Sequence, residues 1–169
     1  MEPTQNGLLP VWRAVANRSV EVLDQRRLPR EVRGPYEASD YIPATLDHIL
    51  VSAIYWCGPR PVALLSTPAI TLDLEILEEW FQVKVRPAQS TEVSAVAGSD
   101  LTAVPPAGLA LMVPAFMDDS LLQVPYLWFP AADPALWLCL TPDDIMRVSG
   151  AFPVTIRAGS RRPQLVPVP

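Results

Sequence analysis

Twenty prolines are spread along this chain of 169 residues, and they set the strongest limit on how it can fold. Proline has no backbone N–H and a fixed φ, so it ends helices and interrupts strand pairing. The chain must therefore build from short elements, many turns and stiff extended tails. Half of the residues are hydrophobic and only 18% are charged, a balance that excludes global disorder. A single domain of this length can bury roughly two-thirds of the surface that its unfolded chain exposes. No apolar run reaches the ~18–20 residues that span a bilayer; the longest, 49–57, leads into Gly58-Pro59. Glu2 precedes any cation, and no apolar stretch near the start has signal-peptide length, so a cytoplasmic location is expected.

The stretch 47–66, DHILVSAIYWCGPRPVALLS, joins two apolar runs through Gly-Pro-Arg. The first run is rich in β-branched and aromatic residues, and the pair reads as a β-hairpin. Over 71–83 the period changes. Leu74, Leu77 and Phe81 share one face, Ile76 and Trp80 flank it, and an amphipathic helix is expected. A short helix over 90–98 would start on Ser90 and stop at Gly98. After a loop at 99–108 come three strands, LALMVPAFMD, YLWFP and LWLCL, the last two joined by the turn AADPA. TPDDIMRVSG is the clearest local signal: Thr141 as N-cap, Pro142 at the first helical position, Asp143 and Asp144 at the positive dipole end, Gly150 as the stop. FPVTI is a last strand. Nearer the start, LLPVWRAVANR is amphipathic and SVEVLD, 19–24, alternates as a half-buried strand does. Residues 25–45 read as irregular, with a helical turn near YEASDY. The order predicts a single α+β domain around a mixed sheet, with a helical extension over 1–18 and a Pro/Arg-rich tail over 158–169.

The residues offer little obvious chemistry. There is no Gly-rich phosphate loop and no Gly-x-Ser-x-Gly elbow. Cys57 and Cys139 sit in apolar runs and read as buried free thiols. With one histidine they do not give a zinc spacing, so no metal and no cofactor is expected. On a strand, Asp47 and His48 would point to opposite faces, which makes His48 a structural or surface residue. Asp118 and Asp119 follow a strand. Adjacent carboxylates can tune one another for acid/base work, or Asp118 can simply cap the next turn. Lys84, the only lysine, reads as a surface charge. The net charge of −5 opposes strong nonspecific nucleic-acid binding. Arginines nevertheless cluster at Arg26, Arg27, Arg30 and Arg33, and at Arg157, Arg161 and Arg162. Each group could meet phosphate or form a solvated face.

From Pro61 onward the chain carries a longer pattern. PVALLSTPAITLDLEILEEWFQVKVRPAQSTEVSAVAG is followed by VPPAG at 104–108, VPAFMDDSLL at 113–122, a hairpin over 128–140 and LTPDDIMRVSGAFPVTI at 140–156. In order and spacing these resemble the YbaK/prolyl-tRNA synthetase editing-domain family. The resemblance implies a mixed β-sheet or partial barrel with flanking helices. It also implies hydrolysis of the ester of mischarged aminoacyl-tRNA, tRNA(Pro)-type with alanine or cysteine attached, and the acceptor end of that tRNA as partner. Counting back from the matched strand, Val51 stands where the family carries a lysine, with Ser52 beside it. Thr102 and Ala103 stand where a glycine pair would precede V-P-P, and Leu109 follows Gly108 where a histidine is common. The resemblance therefore makes Val51, Thr102, Ala103, Val104, Pro105 and Gly108 the expected substrate-binding positions, with Ser52 and Asp118 as candidate catalytic groups. Loss of the lysine also leaves open a catalytically inactive binding or regulatory module, and a partner-binding subunit that uses Trp56, Trp80 and the tail.

Overall fold

The computed structural model describes residues 8–97, 104–106, 113–131 and 133–160, with side chains described from residue 13. The described elements are helix α1 (Leu8–Asn17), strand β1 (Asp24–Arg27), the one-turn α2 (Pro35–Ala38), hairpin strands β2 (Val51–Cys57) and β3 (Arg60–Ser66), α3 (Leu74–Phe81), β4 (Val85–Pro87), α4 (Ser90–Ala97), β5 (Ala115–Asp118), β6 (Leu127–Pro130), β7 (Leu136–Leu140), α5 (Pro142–Ser149) and β8 (Phe152–Val154). Short 3-10 turns at Leu46–His48 and Asp119–Gln123 precede β2 and follow β5.

The strands form two sheets in one α+β domain. The larger is mixed, in the order β4-β2-β3-β5-β8; the smaller is β1-β7-β6. In the larger sheet β2 pairs antiparallel with β3 and β4, while β3–β5 and β5–β8 are parallel. Gly58 opens the two-residue turn of the β2–β3 hairpin with φ +57°, a conformation that hairpin turns of this kind require and that L side chains resist. A Cβ at that position would also stand 3.3 Å from Val83 Cβ. The sheets are tied where β2 begins: Ile49 bridges Trp128 in parallel, and the Leu50 N–H donates to the Trp128 carbonyl at 2.7 Å.

Alternation along the strands divides the core. Ile54, Ala63, Leu65, Ala115 and Met117 face a main core completed by Phe129, Leu138 and Ile145. Val15 of α1 is buried in that same core. Val62 and Leu64 pack on the opposite face, against Leu77 of α3. The segment that read as irregular supplies Leu28, Val32, Ala38 and Ile42, which cover Trp128, Trp137 and Cys139 on the outside of the smaller sheet.

Two local expectations need correction. The strand expected at 19–24 is displaced: pairing begins with the Leu23 N–H on the Cys139 carbonyl at 2.9 Å and runs through Asp24–Arg27. Val20 and Val22 pack part-buried against the main core instead. The fully buried β7 demands a backbone partner, and the polar DQRR provides it as an exposed edge strand. His48 lies in the 3-10 turn rather than on β2, so its side chain and that of Asp47 meet instead of diverging, with Nδ1 3.4 Å from Oδ1. The expected helices, the hairpin and the caps of α5 are present. Thr141 Oγ1 accepts from the Asp144 N–H at 3.2 Å, and Gly150 is left-handed at φ +68°.

Candidate functional site

The start of β2 sits where the two sheets meet. Leu50, Val51 and Ser52 there line a cavity of ≈ 100 Å³, closed by Pro130 of β6, Trp137 of β7, Val104, and Gly34-Pro35 at the start of α2. Gly34 has φ +100°, so the chain reaches the cavity in a conformation that favours glycine. The walls are apolar, and none of these residues carries a titratable side chain. The polar exception is Ser52. It is 7% exposed, and its Oγ has no hydrogen-bond partner among the described residues. A buried hydroxyl without a partner costs about 1–3 kcal/mol, and such atoms are rare enough in native folds to require an explanation.

One other described buried side-chain polar atom lacks a partner, Trp56 Nε1. It approaches the Glu92 carboxylate without meeting hydrogen-bond geometry, while the Arg86 guanidinium lies 5.9 Å above its ring. Glu92 itself accepts two bonds from Arg86, at 2.9 and 2.8 Å, and one from the Gln89 N–H at 2.8 Å. These donors, Arg86 foremost, pull its pKa down to about 2.

The expected residues divide. Val51, Ser52 and Val104 come together in the cavity, and Pro105 follows Val104 as a buried residue. Thr102, Ala103 and Gly108 lie outside the described residues. Asp118 is fully buried but does not line the cavity. Met117, beside it on β5, is opposite Leu65 of β3, which is opposite Ser52, so two strand spacings of about 4.8 Å each separate them. The Asp118 carboxylate accepts from the Ile156 N–H at 3.1 Å, Arg157 Nη1 at 2.9 Å, the Ser120 N–H at 3.0 Å and the Ser120 hydroxyl. Asp119 accepts from Thr155 Oγ1 at 2.6 Å and from Arg157. Burial pushes the Asp119 carboxyl up, but Thr155 and Arg157 outweigh it and hold it below the usual range. His48 also lies away from the cavity, with Thr45 Oγ1 at 3.2 Å and the Tyr126 ring at 4.8 Å.

Sequence reasoning missed Gly34, Pro35, Pro130 and Trp137. The dipeptide Gly34-Pro35 is readable as a turn. That this turn would close a cavity against β2 depends on how the 25–45 segment wraps the smaller sheet, which no local pattern encodes.

A family model described as an aminoacyl-tRNA editing domain matches residues 60–148, just over half of the chain. No curated protein matches it. Among solved structures, a protein proposed as a trans-editing enzyme for prolyl-tRNA synthetase superposes with a TM-score of 0.80 at 23% identity, covering 94% of this chain and 99% of that one. A structure from work on computational epitope grafting onto scaffold proteins gives 0.79 at 24% identity, covering 90% and 98%. The hypothetical protein APE2540 gives 0.80 at 18% identity, covering 87% and 98%. At these identities the likeness is one of fold.

Proposed function

This chain belongs to the aminoacyl-tRNA editing domain family, and on that premise we propose that it hydrolyses the ester linking a wrong amino acid to tRNA, of the tRNA(Pro) type. The observation that carries the proposal is the unpaired Ser52 hydroxyl in an otherwise apolar cavity. A cavity of ≈ 100 Å³ suits a side chain the size of alanine, serine or cysteine. Ser52 then donates to, or accepts from, the aminoacyl group or the attacking water. Val51, in the position of the family's lysine, adds apolar wall where a cation would have met the tRNA end. Negative charge develops on the ester carbonyl oxygen as water adds, and backbone N–H groups are suited to stabilise it. We assign that role to the 102–108 segment: Thr102, Ala103, Val104 and Gly108 can donate, whereas Pro105 has no N–H. Asp118, whose oxygens are occupied, is a positioning residue in this reading.

The test is direct. The protein is incubated with alanyl-, cysteinyl-, seryl- and threonyl-tRNA, and deacylation is followed against a control without protein. Hydrolysis of the smaller aminoacyl esters is expected; none at micromolar protein would sink the proposal. A second reading, a non-catalytic binding module, is favoured by the lack of a titratable side chain among the described residues that line the cavity. It predicts retention of aminoacyl-tRNA on the protein with no acceleration of its hydrolysis.

A further inference from the structure

A second cavity lies on the other face of the larger sheet, at the turn end of the hairpin. Cys57 there is five steps along β2 from Ser52, a span of about 17 Å. The cavity measures ≈ 300 Å³, with Val62, Phe81, Val83 and Phe116 among its walls, Cys57 beside them and Arg60 completing the lining. Phe81 and Phe116 stand 5.6 Å apart, and Phe116 and Phe152 6.4 Å apart. The outer two rings of this row remain 42% and 63% exposed. Contiguous exposed aromatics mark a place where apolar matter binds, and the volume is at the lower end of small-molecule pockets.

Charge identifies the class of occupant. Arg26, Arg27, Arg30, Arg86, Arg147 and Arg157 are each paired with a carboxylate; Arg13, Arg18 and Arg33 have no carboxylate partner among the described residues but do not line this cavity. Arg60 is exposed and has no such partner among the described residues. An unpaired guanidinium beside an apolar cavity is matched by a carboxylate on an apolar body, because the planar fork takes both carboxylate oxygens at once. We propose that this cavity is a binding site for a small carboxylic acid with an aliphatic or aromatic body, its carboxylate on Arg60 and its body between Phe81, Val83 and Phe116. The site is separate from the Ser52 cavity and does not depend on the editing chemistry proposed for it.

Octanoate is a suitable probe, with octylamine and octanol as bodies of the same length and different charge. Calorimetry on the full chain should show octanoate binding and no octylamine binding. Arg60→Gln, an exposed substitution, should weaken octanoate about tenfold or more and leave octanol unchanged. A second readout places the ligand. Saturating octanoate should slow the reaction of Cys57 with N-ethylmaleimide and leave Cys139, in the other sheet's cluster, unaffected. Absence of octanoate binding at millimolar concentration, equal binding of octylamine, full affinity in Arg60→Gln, or no protection of Cys57 would each overturn the proposal.

Discussion

Ser52 and Glu92 show opposite ways for one side chain to sit in this fold. Ser52 carries a buried hydroxyl with no partner among the described residues, a group that weakens the folded state unless a ligand uses it. Ser52→Ala should therefore leave stability unchanged or raise it by about 1 kcal/mol, while lowering the deacylation rate by ~10². Denaturant melts and single-turnover hydrolysis on the same sample separate the two effects. A parallel loss of both would make Ser52 merely structural. Glu92 is instead fully satisfied, and its pKa falls from 4.5 to about 2 on folding. A depressed carboxyl contributes stability that is present above its unfolded value and lost as pH falls through the folded one. Wild type and Glu92→Gln should thus differ in melting temperature near neutral pH. The difference should shrink between pH 4.5 and about 2, as thermal melts across that range will show.

At the scale of elements, the parts readable in advance were those governed by neighbours in sequence. The caps of α5, the period of α3 and the β2–β3 turn each depend on a handful of adjacent residues, and each is present as the sequence implied. β1 was misplaced because its register is imposed by β7, more than a hundred residues later in the chain. The candidate site divides in the same way. Val51, Ser52 and Val104 were legible through the family pattern, whereas Trp137 and Gly34-Pro35 join them through packing alone. Asp118 was legible as a turn cap, since its side chain accepts from the Ser120 N–H, but not as the anchor of the strand-end segment after β8. Asp118→Ala would strip partners from the Ile156 N–H and Arg157 together. We expect a loss of about 2–4 kcal/mol in chemical denaturation, moderated because Arg157 keeps Asp119 as a partner and has access to water. Asp119→Ala, at a half-exposed position, should cost less.

For the molecule as a whole, chain order and spatial order disagree. The larger sheet places β5 between β3 and β8, both in parallel pairings, and the smaller sheet pairs β1 with β7. Neither sheet is complete until late residues arrive, and pairings this distant in sequence are slow to form. Chains truncated after residue 140 should be readily cut by protease, and chains extending past residue 160 should resist; resistance in the shorter set would contradict this. The Asp118 clamp gives that order a direction in time. Its carboxylate emerges during synthesis 39 residues ahead of the arginine that neutralises it. Until Arg157 follows, that charge is held most cheaply in water, which keeps the end of β5 from burying early against a wrong neighbour. On this order of events the ion pair acts as a timer, with the end of β5 free to close only once Arg157 has been made.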